Sequence, residues 1–224
     1  MEKTSNMILY SYFRSSAAYR VRIALNIKEI NYTIKPIHLL TDGGQQHLPD
    51  FHSLNPLELV PVLIHNGITI SQSLAIIDYL EAIHPSPALY PSGLTDKIAC
   101  QELALSIACD VHPINNLRVA NFLKERHQLS PSQIKDWNLH WISIGFQSLE
   151  ERLHHHNGSS TCTGFCFGNE PSVADLCLIP QIYNALRHDL DLSVYPRLND
   201  IYQHCISLAP FKDASPECQA DFPT

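Results

Sequence analysis

Apolar and polar positions change period several times along this chain, and each change marks an element. Met7 to Tyr12 is a short apolar run that reads as a strand, and it stops at a polar elbow, Phe13-Arg14-Ser15-Ser16. From about Ala17 to Lys28 the period is helical, with one clear polar stripe of Arg22, Asn26 and Glu29. The rest of that helix is apolar, which predicts cover on two sides. Asn31 to Ile37 reads as a second strand, followed by a polar loop from Thr41 to His47. Pro56 and Pro61 exclude a helix between Leu54 and Ile64. Val62 to Ile64 and Ile68 to Ile70, joined by Asn66-Gly67, predict a hairpin, because Asn-Gly suits a type I′ turn. A helix capped by Ser73 then runs to Ile83. The order β-α-β, then β-β-α, builds a small mixed sheet with helices on it.

His84-Pro-Ser-Pro-Ala-Leu-Tyr-Pro91 is a proline-rich break, and beyond it the period is helical. Thr95 to Val111 is a long helical segment that Pro113 bends or ends. A helix opens at Pro131 after Ser130 and runs to about His155. Ser172-Val-Ala-Asp175 is a capping box with Asp in place of the usual Glu. It opens an almost wholly apolar helix, Val173 to Leu186, which contains Pro180 and reads as the core of this half. Tyr195 to Leu208 is the last good helix, and the tail from Ala214 to Asp221 reads as irregular. These patterns divide the chain into an α/β domain over residues 1–84, a linker over 85–93 and an all-helical domain over 94–224.

Composition excludes several classes of function. With 45% hydrophobic and 17% charged residues among 224, the chain is a folded globular protein. A net charge of −7 with no basic run argues against a nucleic-acid partner. No apolar run is long enough to span a bilayer and no export signal is found, so a cytoplasmic location with reduced thiols is expected for the seven cysteines. Cys162-Thr-Gly-Phe-Cys166 follows His154-His-His156 closely enough to raise a metal site. The spacing matches no common zinc pattern and the segment is rich in Gly and Ser, so a surface loop is expected and no metal.

The elbow carries the candidate chemistry. Ser15 and Ser16 suit the start of a helix, because a hydroxyl can satisfy amides left free in the first turn. Two hydroxyls and free amides at a helix start also make an anion-binding corner. Taken alone, the elbow favours the plain reading of a capped helix.

The wider pattern narrows this. Ser15-Ser-Ala-Ala-Tyr-Arg-Val-Arg-Ile-Ala-Leu25 resembles the signature of zeta-class glutathione transferases, usually Ser-Ser-Cys-x-x-Arg-Val-Arg-Ile-Ala-Leu, with Ala17 at the cysteine position. Gly44-Gln-Gln46, Leu54-Asn-Pro56, Val60-Pro61, Gly67-Ile-Thr-Ile70, Gln72-Ser-Leu-Ala-Ile-Ile77, Ala174-Asp-Leu-Cys-Leu178 and the tail residues Ala214, Pro216, Gln219 and Asp221 fit the same class in order. The class is typified by maleylacetoacetate isomerase. The resemblance implies a thioredoxin-like N-terminal domain and a helical C-terminal domain, the cytosolic glutathione transferase fold. It implies glutathione as cofactor, a small dicarboxylate as substrate and a homodimer. The implied reaction is glutathione-dependent cis–trans isomerisation of maleylacetoacetate to fumarylacetoacetate. Maleylpyruvate isomerisation, transfer to small haloacids and a non-catalytic glutathione-binding module are the alternatives.

The same resemblance assigns residues. Ser15 is the main donor to the thiolate, with Ser16 beside it. Gln46, a cis Val60-Pro61 bond presenting the Val60 backbone, Gln72, Ser73, His112 and Asn116 hold glutathione. Arg14, Arg118 and Arg187 are the candidates for substrate carboxylates, arginine being the planar partner such groups prefer. For His112 and Arg118 a solvated surface role stands equally open. Arg20 and Arg22 read as structural, and Asp175 as a buried cap.

Overall fold

A computed structural model describes residues 7–157 and 164–223. The strands are β1 (Ile8–Ser11), β2 (Thr33–Pro36), β3 (Val62–His65) and β4 (Ile68–Ser71). The helices are α1 (Ser16–Ile27), α2 (Pro49–Leu54), α3 (Ser73–Ile83), α4 (Leu94–Leu105), α5 (Leu117–His127), α6 (Pro131–Asn157), α7 (Val173–Leu186), α8 (Pro196–Ser207) and α9 (Ala209–Asp213). The chain forms two compact units, Met1–Leu89 with Leu208–Thr224, and Tyr90–Ser207.

In the first unit the sheet order is β2-β1-β3-β4. β1 and β2 are parallel, with Leu9 opposite Ile34, while β3 runs antiparallel to both β1 and β4. The Asn-Gly hairpin forms as expected, with Asn66 at φ 50° and Gly67 at φ 78°. The helix period from Ala17 onward becomes α1, whose residues from Ala18 to Leu25 are all buried. Its polar stripe is covered at Arg22 and in part at Asn26, and only Glu29 is exposed. Arg22 is 0% exposed, and its Nε donates to the Ala214 carbonyl at 2.9 Å. Asn26 Nδ2 donates to the Pro210 carbonyl at 3.0 Å. The stripe is the seam on which the C-terminal segment docks, so residues 208–224 join the first unit although the sequence pattern placed 94–224 in one helical domain. The linker is also held to this unit. Buried Lys28 pairs with Glu81 at 2.7 Å and donates to the carbonyls of His84 and Pro87, and the Leu89 amide donates to Glu81.

Two elements of this unit depart from the expected pattern. α2 was not legible between the loop and the prolines; Pro49 sits in its first turn, where proline is tolerated, and Phe51 fills a cluster with Tyr12, Phe13, Val60 and Val62. α9 follows the last expected helix, and the tail from Ala214 to Asp221 is irregular apart from a short 3₁₀ turn at Pro216–Cys218.

In the second unit α7 is the buried core helix the sequence predicts, covered by α4 and α8. α4 passes into a π-helical stretch, Ser106–Val111, before Pro113. Gly145 on α6 lets that stretch approach, since a Cβ there would lie 2.4 Å from a Val111 methyl. α5 was not expected; its apolar side, Leu117, Val119, Ala120 and Leu123, is only half-buried. Asp175 caps α7 as predicted. Fully buried, it accepts from the Ser172 amide and hydroxyl, each at 2.8 Å, and from the Cys166 amide at 2.7 Å.

Candidate active site

The elbow between β1 and α1 is built from long-range ties. Arg22 Nη1 donates to the Ser11 hydroxyl at 3.0 Å and Nη2 to the Phe13 carbonyl at 2.9 Å. The Phe13 amide donates to Asp221 at 3.0 Å, and the Tyr19 hydroxyl to the Phe211 carbonyl at 3.0 Å. The tail residues that matched the family pattern therefore clamp the elbow. Burial pushes the Arg22 guanidinium down to about 10, opposed by Tyr32, Tyr19 and Asp221. It stays cationic at neutral pH and saturated with acceptors.

On this frame Ser15 is the N-cap of α1, its hydroxyl oxygen accepting from the Ala18 amide at 3.2 Å. That bond occupies an acceptor position and leaves the hydroxyl hydrogen to be donated elsewhere. Ser16, buried, is the first residue of the helix, and half-exposed Ala17 follows. Half-buried Arg14 stacks over Phe13, 5.8 Å from the ring centroid, and forms no ion pair among the described residues.

The start of α3 is the second anion-receptive corner. The sequence reading made Ser73 its cap. The structure places Gln72 there at φ 72°, with no side-chain cap bond, and Ser73 as the first helical residue. A non-glycine residue at positive φ costs about 1–3 kcal/mol, and such positions cluster at ligand sites. Ser73 is 5% exposed, and its hydroxyl oxygen accepts from Arg20 Nη1 at 3.2 Å. The Val60-Pro61 bond is cis, as expected, and so is Ser86-Pro87, which no pattern signalled. Val60 precedes the paired register of β3.

Gln46 lies in a 3₁₀ turn, 7% exposed. Its Nε2 approaches His47 Nε2 at 3.0 Å and the Leu39 carbonyl, while its buried Oε1 has no partner among the described residues. His47 and His52 both bond Glu58, which lowers the Glu58 carboxyl from its ordinary range. Sequence reasoning missed this His-Glu-His chain. It depends on a left-handed turn at Glu58, φ 56°, that glutamate does not advertise.

The second unit carries the remaining candidates. His112 ends the π-helical stretch, its amide donating to the Ile107 carbonyl at 2.9 Å. Asn116 caps α5, its side chain accepting from the Arg118 amide at 3.1 Å. Asn115 ties the intervening segment down, donating to the Val111 carbonyl and accepting from Asn184 of α7. Arg118 and Arg187 are exposed, Arg187 at the end of α7. Burial, then the positive charges of Arg187 and Lys135, lower the neighbouring His188. Cys166 and Cys100 are pushed up by burial and are inert as nucleophiles. Cys162 and His156 lie outside the residues whose side chains are described, and among those that are described no group of three or more His, Cys, Asp or Glu is placed to hold a metal ion.

Within the first unit, then, a hydroxyl donor at one helix start and a cation-backed hydroxyl at another accompany a buried amide oxygen without a partner. This donor set fits a small peptide with anionic ends, such as glutathione. It fits no metal, for which oxygen and nitrogen ligands would have to converge.

Residues 5–82 match the family described as glutathione S-transferase, N-terminal domain. Over 216 residues the chain is 48% identical to a probable maleylacetoacetate isomerase of Vibrio cholerae, covering 96% of this chain and 98% of that one. A bacterial maleylpyruvate isomerase described as a zeta-class glutathione transferase superposes with a TM-score of 0.91 at 35% identity, covering 96% of this chain and all of that one. A maleylacetoacetate isomerase from Methylobacterium extorquens AM1, solved with bound malonate and glutathione, gives 0.90 at 36% identity, covering 97% of this chain and 100% of that one.

Proposed function

We infer function from family membership: the chain belongs to the glutathione S-transferases and, within them, to the zeta-class family of maleylacetoacetate and maleylpyruvate isomerases. We propose that it isomerises maleylacetoacetate to fumarylacetoacetate with glutathione as cofactor. Glutathione supplies the thiolate that adds reversibly to the cis double bond and so permits rotation to trans.

The observation that carries the proposal is Ser15. Its oxygen is fixed by the Ala18 amide at a helix start, so its hydrogen is available to a sulfur anion. A free thiol has a pKa near 8.5, and lowering it by about two units takes about 2.7 kcal/mol. A hydrogen bond to a charged group contributes about 1.5–3 kcal/mol and a helix start about 0.3–1 kcal/mol. Those two sources suffice, and the elbow contains no cysteine that could act instead.

Ser16, Gln46, the Val60 backbone, Gln72 and Ser73 of the first unit are proposed to hold glutathione, with His112 and Asn116 of the second. Arg14, Arg118 and Arg187 are proposed for the substrate carboxylates, a role that the malonate bound by the Methylobacterium relative makes chemically reasonable. Residues 1–89 with 208–224 would form the cofactor-binding domain, and 90–207 the helical domain, of a cytoplasmic homodimer. No helix among the described residues is long and apolar enough to cross a membrane.

The likeness to a maleylpyruvate isomerase favours that shorter dianion as the second reading. The test is the rate of cis-to-trans conversion of each acid, with and without glutathione. A higher kcat/KM for maleylacetoacetate supports the first reading, and conversion at equal rate without glutathione rejects both.

A further inference from the structure

Two arginines of α1 stand two positions apart and are treated differently by the fold. Arg22 donates from all three of its nitrogens to carbonyl and hydroxyl oxygens. Arg20 is 2% exposed, yet it makes one bond, from Nη1 to Ser73 Oγ at 3.2 Å. Its Nε and Nη2 are buried and have no partner, and no carboxylate pairs with it among the described residues. A guanidinium keeps its charge at any physiological pH, so the free fold holds an uncompensated cation, an arrangement that is unfavourable unless an anion offsets it.

The one bond Arg20 makes says where that anion belongs. Ser73 opens α3, whose start lacks a side-chain cap. Accepting from Arg20 holds the Ser73 oxygen and leaves its hydrogen free to be donated to an acceptor at the helix start. Helix start, directed hydroxyl and buried cation then act on one point.

We propose that Arg20 is a positioning residue for anion recognition, acting through Ser73 to select a ligand carrying a carboxylate at the start of α3. This rests on the glutathione reading above, in which that carboxylate is the α-carboxylate of the γ-glutamyl residue. Arg20 is thus neither plain scaffold, as the sequence pattern suggested, nor a group that touches the reacting atoms.

The test is calorimetric titration of the natural protein, Arg20→Gln, Arg20→Lys and Ser73→Ala with glutathione and with an analogue whose γ-glutamyl α-carboxylate is a carboxamide. The natural protein should prefer glutathione to the carboxamide by at least about tenfold. Arg20→Gln should lose most of that preference, binding glutathione at least about tenfold more weakly and the carboxamide within about twofold of the natural protein. Arg20→Lys, which keeps the charge, should restore part of it. In turnover, KM for glutathione should rise while kcat at saturation stays within about twofold. Equal losses for both ligands would show a structural role and overturn the proposal, as would wild-type affinity in a folded Arg20→Gln. Should Arg20→Gln not fold, Arg20→Lys decides: weaker binding of glutathione with the carboxamide bound within about twofold of the natural protein supports the proposal, and equal losses for both ligands overturn it. Failure of the natural protein to bind glutathione at all would overturn the glutathione reading and this proposal together, whereas binding without the selective loss would overturn the proposal alone.

Discussion

The starts of α3 and α7 present the same helix dipole and are finished in opposite ways. At α7 the protein supplies its own anion: Asp175 accepts from the Ser172 amide and hydroxyl and from the Cys166 amide, all buried. At α3 no side chain caps the helix, Gln72 holds a left-handed backbone, and Ser73 takes a bond from a cation with no other partner among the described residues. The first start is complete in itself and its job is stability. The second is left open by the protein, and the proposed function completes it with a ligand. Conserving a cap within the chain and leaving one open are alternative uses of one piece of physics.

The largest effect should come from breaking the closed start. Asp175→Ala leaves two buried amides and a buried hydroxyl without their acceptor, and should destabilise by about 2–5 kcal/mol in urea unfolding. Glutathione affinity of the folded fraction should be unchanged. An unaltered unfolding midpoint with lost activity would mean that Asp175 belongs to the chemistry.

Next comes the elbow. Ser15→Ala should lower turnover at least tenfold, about 1.4 kcal/mol, with the fold intact, since the cap bond it loses is only half-buried. Ser16→Ala should matter less, and a reversed order would exchange their roles.

The open start offers a subtler inversion. Gln72→Gly removes the strain of φ 72° and should leave stability unchanged or raise it by about 0.5–1 kcal/mol, while glutathione binds more weakly. A variant that loses stability would show that Gln72 is a structural cap after all.

The smallest effect is expected at Ala17, where the family signature has cysteine. Ala17→Cys should change turnover only modestly, because the elbow already supplies its donors. It should also introduce a reachable thiol prone to mixed disulfide formation, which mass spectrometry would detect. An inert natural protein rescued by Ala17→Cys would make this chain a glutathione-binding relative and no isomerase.

What the sequence made legible was local. Asn66-Gly67 announces its hairpin, Ser172 with Asp175 announces its helix, and the unbroken apolar run from Val173 announces its burial. What escaped was set by distant parts of the chain. Arg22, Asn26 and Glu29 read as one polar stripe, and nothing local shows that the carbonyls of Ala214 and Pro210 will cover the first two. α5 carries apolar residues that the fold only half-buries, and α2 was hidden by neighbouring prolines. Ser73 looked like a cap because Ser is a good one, whereas the backbone turned one residue earlier, at Gln72. Family resemblance named the candidate residues; the hydrogen bonds supply reasons for Ser15 and Ser73, and give Arg20 a role that no spacing suggested.

The central claim is that a hydroxyl at a helix start, and no protein thiol, activates the cofactor. The direct measurement is the pKa of bound glutathione's thiol, followed by thiolate absorbance as pH is varied, in the natural protein and in Ser15→Ala. The account predicts a value about two units below the free thiol in the natural protein, and a return towards about 8.5 in Ser15→Ala. A bound thiol that titrates like the free one in a natural protein that nonetheless isomerises its substrate would contradict it.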